Sequence, residues 1–403
     1  MQETDHRRRA QNAARDVWPA AVELSHDLHA HPELAFEEHR SAGAVSRLLK
    51  QHGFSVEAGV AGLDTAFVAT AGSGDLVVAI CAEYDGLPGI GQACGHNIIA
   101  ASAVTAGIAL AGIADELGLT VRVYGTPAEE LGGGKVIMLE RGAFDGVHAA
   151  MMVHPAPEEF ADHYTRANQD VDVTYTGRPA HAAAARTEGI NALDAVTVAQ
   201  VAIGLLRQQL PDTAIVSGFV LEAGTAANVI PGRAQVRYDI RASTLAELEQ
   251  IKGRVLACFR AGAVATGCEM QIEEHSRAYS EFRNDDPMVA AYRKNAEQLG
   301  RVFDDLTENE RMTRAGSTDM ANLSLVMPTI HPMVRVETHG AVNHQPEFAQ
   351  FCVEESADRT VLDAGTAMAW TVIDLATDTT ERARLLGGST AHAATVATIA
   401  GGS

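Results

Sequence analysis

Leu76-Val77-Val78-Ala79-Ile80, Thr120-Val121-Arg122-Val123-Tyr124 and Ala149-Ala150-Met151-Met152-Val153 are three short apolar runs between Asp64 and His154. Runs of this length, rich in β-branched residues and bounded by turn formers, read as buried strands. Helical patterns from Asn97 to Leu117 and from Gly134 to Arg141 separate them. Strand, helix, strand, helix, strand implies parallel pairing within an α/β sheet. Ligands of such sheets gather beyond the carboxyl ends of the strands. Polar residues fall there three times: Glu83 and Asp85 after the first run, Glu129 and Glu130 after the second, His154 after the third. One site is expected to collect them.

From about Asp170 the pattern changes. Strand (Val171 to Thr176), helix (Ile190 to Leu210), strand (Ala214 to Leu221), strand (Ala234 to Arg241), helix (Leu245 to Ala261) and strand (Glu269 to Glu274) follow in turn. This βαββαβ order is the ferredoxin-like split arrangement. Thr244-Leu245-Ala246-Glu247 supplies a capping box for its second helix. Longer helix and strand patterns resume after Ser280, so both ends of the chain should complete the first domain. The expected fold class is α/β: a mixed-sheet catalytic domain over 1–168 and 279–403, with an inserted ferredoxin-like lid and dimerisation domain over 169–278. No internal repeat is visible, and the small-residue stretch from Gly387 to Ser403 reads as a frayed tail.

A chain of 403 residues with 46% apolar content is long enough for two cores. Acidic residues outnumber basic ones 52 to 31, a formal charge of -21, which argues against nucleic acid and anionic membranes as partners. The five cysteines are irregularly spaced, and the start Met1-Gln2-Glu3-Thr4-Asp5-His6-Arg7-Arg8-Arg9 leads into no apolar run. A reducing cytoplasm is therefore expected. Ile98 to Ala114 is short and built largely of small residues, as a tightly packed buried helix would be.

Cys94-Gly95-His96 supplies a thiolate and an imidazole, a pair that suits zinc. A Cys-x-His alone is weak, because most cysteines are small buried hydrophobes. Pro88, Gly91 and Gly95 mark its surroundings as a loop. Glu129-Glu130 admits a bland reading, acids at a helix start. Its functional reading divides labour between a metal ligand and a proton acceptor. His154 and His344 would pass in isolation for capped strand-end histidines among the sixteen in the chain.

Five motifs decide between these readings. Ala82-Glu83-Tyr84-Asp85-Gly86-Leu87-Pro88, Ala93-Cys94-Gly95-His96-Asn97, Pro127-Ala128-Glu129-Glu130, Gly177-Arg178-Pro179-Ala180-His181-Ala182 and Ala227-Asn228-Val229-Ile230-Pro231 occur in that order. The chain resembles the dinuclear metallo-amidohydrolases and peptidases that include aminoacylase, hippurate hydrolase, carboxypeptidase G-type and indoleacetyl-amino-acid hydrolases. Glu83-Tyr84-Asp85 and Gly316-Ser317-Thr318-Asp319-Met320 look most like the branch of β-alanyl-lysine dipeptidases and aminobenzoyl-glutamate hydrolases. The resemblance implies Cys94, His96, Glu130, His154 and His344 as ligands of two divalent ions, zinc or alternatively manganese, with Cys94 between them. It implies Glu129 as general base, Asp85 as the group orienting a ligand histidine, and His181 as a histidine reaching a partner subunit's site in a homodimer. Asn228 and Arg241 would hold the substrate carboxylate; Arg241 alternates with Ile240, Tyr238 and Val236, which sets its guanidinium opposite the apolar face. The role of Glu83 stays open. Asn97 stands where the family's common form has Asp, and Gly316-Ser317-Thr318-Asp319 stands for Gly-Gly-Glu-Asp. His29-Ala30-His31-Pro32-Glu33 also resembles a family signature, but reads from its residues as a helix end stopped by Pro32.

The implied activity is hydrolysis of the amide bond of N-acyl or aminoacyl amino acids, small dipeptides or aminobenzoyl-glutamate-like amides, rather than of intact proteins. Two alternatives are weighed against it: a non-catalytic binding or assembly subunit that keeps the fold, and a thiol hydrolase with Cys94 as nucleophile.

Overall fold

The computed structural model describes residues 2–307, 310–311 and 315–388; from 389 onward the stretch read as a tail lies outside the described residues. Two compact units emerge: Met1–Tyr164 with Phe282–Ser403, and Thr165–Glu281.

The first unit begins with helices α1 (Gln2–Ala30) and α2 (His39–Gln51), α1 stopping two residues before Pro32. Strands β1 (Ser55–Ala58), β2 (Phe67–Gly72) and β3 (Leu76–Glu83) lead to α3 (His96–Ala111), β4 (Leu119–Thr126), α4 (Gly134–Glu140) and β5 (Ala149–Met151). The sheet order is β1-β2-β4-β3-β5-β13, where β13 is Thr329–Ile330 from the far end of the chain. β3 pairs in parallel with β4 and β5, as the apolar runs imply, while β1 and β2 run antiparallel, so the sheet is mixed. The strand expected to reach Val153 ends at Met151; β6 (His154–Ala156) then pairs with β14 (Met333–Arg335).

α3 is shorter than its apolar pattern, because Gly112 ends it and a 3-10 turn (Asp115–Leu117) follows. Every residue from His96 to Leu110 is buried. A helix apolar all round belongs in a core. Its Ala, Gly, Ser and Thr side chains let α1 and the helix Glu355–Thr377 pack close against it. Among the described residues no helix is long and apolar enough to cross a membrane.

The second unit contains β7 (Ala167–Thr176), β8 (Ala180–His181), α5 (Ala192–Leu206), β9 (Ile215–Glu222), β10 (Val229–Ile230), β11 (Arg233–Ala242), α6 (Leu245–Thr266) and β12 (Glu269–Glu274). Its antiparallel sheet has the order β12-β7-β11-β9, the ferredoxin-like arrangement. Ala234, Val236, Tyr238, Ile240 and Ala242 of β11 are buried with residues of α5 and α6, whereas the alternate positions stay partly exposed. Period-two alternation is what a sheet with one covered face requires. The Thr244 side chain caps α6 by accepting the Glu247 N–H at 3.2 Å, but the Glu247 carboxylate reaches the N–H of Ser243 at 2.8 Å, one residue earlier than in a standard capping box.

Candidate metal centre

The parallel strands β3, β4 and β5 end on one edge of the sheet, so the segments that follow them converge. Glu83 is the last residue of β3, and Asp85 is completely buried just beyond it. After β4, Ala128 takes φ 60°, a left-handed conformation that costs a non-glycine residue about 1–3 kcal/mol. It is held there by donating its N–H to Glu38 Oε1 at 2.8 Å and accepting the Gly133 N–H at 3.0 Å. A Cβ on Gly134 would lie 1.9 Å from the Pro127 carbonyl oxygen, so only glycine lets the chain fold back under the glutamate pair. Gly95, with φ 80°, opens α3; a Cβ there would lie 2.5 Å from Pro155. Cys94 and His154 thereby come close.

Cys94 Sγ lies 3.4 Å from His154 Nε2 and 3.5 Å from His344 Nε2. Glu130 Oε1 is 3.5 Å from His344 Nε2 and 3.8 Å from His96 Nε2. Glu129 Oε2 is 3.9 Å from the same His96 nitrogen. His344, also left-handed at φ 69°, donates its backbone N–H to Ala93 at 2.9 Å, and its neighbour Asn343 bonds the carbonyls of Cys94 and Pro155. The structure thus brings together Cys94, His96, Glu129, Glu130, His154 and His344.

Asp85 Oδ1 accepts the His96 Nδ1–H at 3.1 Å, while its Oδ2 accepts the Glu130 N–H at 3.0 Å. The Asp85 carbonyl shares the His96 proton at 2.9 Å. In the same way His154 Nδ1 donates to the Pro155 carbonyl at 2.9 Å. Each ring thus commits Nδ1–H to an oxygen and turns Nε2 toward the cluster, the orientation a metal ligand needs. Burial, followed by the charge on His96, depresses His154 to about 4 and keeps it neutral.

The donor set fits divalent metal. His96 Nε2, Glu83 Oε2 and Glu130 Oε1 are buried without a hydrogen-bond partner. Buried polar atoms are otherwise nearly always paired. Cys94, His96 and His154 form one group whose donor atoms lie within 4.8 Å of one another; Cys94, Glu130 and His344 form a second, and Glu83, His96 and Glu129 a third. The first two share Cys94. Burial pushes Glu129 well above the usual carboxylate range, reinforced by Glu83 and Glu130, and burial with Glu130 pushes the Cys94 thiol up. A crowd of acids raised in this way is stabilised by a cation.

Asn97 does not face this cluster. It is buried at the start of α3 and donates its amide to Ser25 Oγ at 2.8 Å and the Cys352 carbonyl at 2.9 Å, tying the helix to α1 and the C-terminal segment. Sequence reasoning quoted Asp319 within a motif without giving it a role and missed Lys135, which is buried between Asp319 and Glu83. The one signal was that a lysine follows Gly132-Gly133-Gly134, where a buried helix start admits a charge only with a partner.

His181, Asn228 and Arg241 belong to the second unit. β8 pairs with β10 so that Ala182 N–H donates to the Asn228 carbonyl at 2.9 Å. His181 is exposed, and its Nδ1 accepts the N–H groups of Ala183 and Ala184, both at 3.2 Å. That leaves the proton on Nε2 as a donor. Arg241 lies on the partly open face of β11, with Nε donating to Asp239 at 2.7 Å.

Fold and site together define a two-unit α/β protein with a cluster of donors suited to divalent metal. A sequence model of a peptidase dimerisation domain, M20_dimer, matches residues 165–266 of the second unit. The chain is 38% identical to the Xaa-Arg dipeptidase of Mus musculus over 87% of its own length and 84% of that protein. It therefore belongs to the M20 peptidase family and is an enzyme that hydrolyses amide C–N bonds. The aminobenzoyl-glutamate utilization protein of Klebsiella pneumoniae superposes with a TM-score of 0.71 at 19% identity, over 90% of this chain and 97% of that one. A dinuclear metal-binding M20 peptidase of Bacillus subtilis superposes with a TM-score of 0.66 at 22% identity, over 89% and 99%. At these identities the likeness is one of fold.

Proposed function

We propose that the chain is a metal-dependent dipeptidase in which Cys94, His96, Glu130, His154 and His344 hold two divalent ions. The convergence of five donor side chains, with the partnerless nitrogen of His96 among them, carries this reading. Bound there, the ions would supply a Lewis acid for the scissile carbonyl and a lowered pKa for water. The Cys94 thiolate favours zinc, and the nitrogen and oxygen donors also accept manganese.

Glu129 takes the proton of the attacking water and passes it to the leaving amine. Its partner Glu130 is the ligand of the pair. Asp85 orients His96 and holds the Glu130 backbone, so one carboxylate aligns two ligands. Asn228 and Arg241 receive the substrate's free carboxylate, Arg241 by exchanging Asp239 for it. His181, with its proton on Nε2, donates to the developing oxyanion in the site of a neighbouring subunit, which requires a homodimer formed through the second unit. The dimerisation-domain match supports that assembly.

The substrate is a small amide with a free carboxylate, and a dipeptide ending in a basic residue is favoured over an N-acyl amino acid or aminobenzoyl-glutamate. The likeness to an Xaa-Arg dipeptidase supports this, as does a formal charge of -21, whose field attracts cations. Glu129→Gln should keep both ions by elemental analysis and lose turnover by ~10²–10⁴-fold on a panel of Xaa-Arg, β-alanyl and aminobenzoyl amides. A fully active variant would remove Glu129 from the reaction.

A further inference from the structure

Glu83, Lys135 and Asp319 are each completely buried at the same strand ends. Lys135 Nζ lies 2.5 Å from Glu83 Oε1 and 2.6 Å from Asp319 Oδ1. Asp319 Oδ2 accepts the Lys135 backbone N–H at 2.8 Å, so the lysine is gripped at both ends. Two carboxylates and one ammonium leave a negative charge uncompensated where burial makes unpaired charge expensive.

That charge has a direction. Neither Glu83 oxygen has a hydrogen-bond partner, but Oε1 is ion-paired with Lys135 Nζ, while Oε2 lies 3.5 Å from the equally partnerless Nε2 of His96. This distance is too long for a good N–H···O bond. It is close to the spacing of two donors sharing one tetrahedral zinc, roughly 3.3–3.6 Å from the usual bond lengths. The donor atoms of Glu83, His96 and Glu129 also lie within 4.8 Å of one another.

We infer that Glu83 is a further ligand of the metal centre, contributing Oε2 beside His96, and that Lys135 and Asp319 are positioning residues that fix this carboxylate by its other oxygen. The inference rests on the metal-centre reading above. It assigns the lysine a task that a solvated charge could not perform: holding a buried carboxylate to a single inward oxygen.

Metal-free protein titrated with zinc against a chromophoric chelator tests it, alongside the visible spectrum of the cobalt-loaded protein. Glu83→Gln and Glu83→Asp, the second keeping the charge but withdrawing the oxygen by one methylene, should each weaken one of two ions about tenfold or more and alter the cobalt bands. Two ions bound with wild-type affinity and spectrum in either folded variant would overturn the assignment. Should neither fold, anomalous scattering from zinc-loaded wild-type crystals decides: an ion within ~2.2 Å of Oε2 supports the proposal and one beyond ~3 Å refutes it. Wild-type protein that binds no zinc or manganese would instead refute the metal centre itself.

Discussion

In the first unit, Cys94, Glu130, His154 and His344 arrive from four separate segments and meet in a buried cluster. In the second, His181 lies on the short strand β8 and Asn228 just before its partner β10, and Arg241 is one alternate position of a regular strand. The first arrangement depends on long-range closure: left-handed Ala128 and His344, close approach at Gly95 and Gly134, and a carboxylate that holds two ligands. The second depends on local alternation and one turn. Substitutions around the first should therefore register in metal affinity and acid stability, and those in the second, away from His181, Asn228 and Arg241, in the stability of that unit.

The largest effect on metal affinity is expected at Asp85. Asp85→Asn keeps the shape, but its amide nitrogen must face either the His96 Nδ1–H or the Glu130 N–H, where both now meet an acceptor. Zinc affinity, measured by chelator competition, should fall by ~10–100-fold with the fold intact. Unchanged affinity would show that the ligands are held without Asp85 and would break the contrast between the units.

A second test concerns acid. His163 is buried among Phe160, Phe282 and His331, and that burial, with the neighbouring His154, lowers it from 6.5 to about 3. Above pH 6.5 the ring is neutral folded and unfolded, and its contribution is constant. As pH falls from 6.5 towards 3 the unfolded chain takes a proton that the native state refuses, so stability is lost, by roughly 2 kcal/mol at pH 5. His163→Phe should flatten this acid limb in a series of melting curves. An unchanged slope between pH 7 and pH 5 would mean that other groups set it.

The same contrast explains what the sequence reveals. Strands β3, β4 and β5 are legible because apolar runs separated by helical segments have few other solutions, and the βαββαβ order is legible for the same reason. The strand-end rule gathers Glu83, Asp85, Glu129, Glu130 and His154 in one place before any distance is known. What stays hidden depends on partners distant in sequence: Glu83, Lys135 and Asp319 come from three segments and make sense only when buried together. Asn97 is similar, since its amide serves Ser25 and Cys352 and not the adjacent histidine. The ends of β5 and α3 shift because β6 finds β14 and Gly112 ends the helix, neither of which periodicity records.

The smallest expected effect bears on the second unit alone. Thr244 is the cap of α6, accepting the Glu247 N–H, and Glu247 in return accepts the N–H of Ser243. Thr244→Ala removes the first bond and leaves the second, so the loss should be about 1 kcal/mol, near the middle of the range for capping threonines. α6 buries Leu248, Ile251, Val255 and Phe259 in that unit's core, so the loss should appear as an earlier urea midpoint for its unfolding. Zinc affinity should not change, because every proposed ligand lies in the other unit. A Thr244→Ala protein with weakened zinc binding would show that the α6 cap reaches the metal cluster, and the division between a site built by closure and a unit built by local pattern would fail.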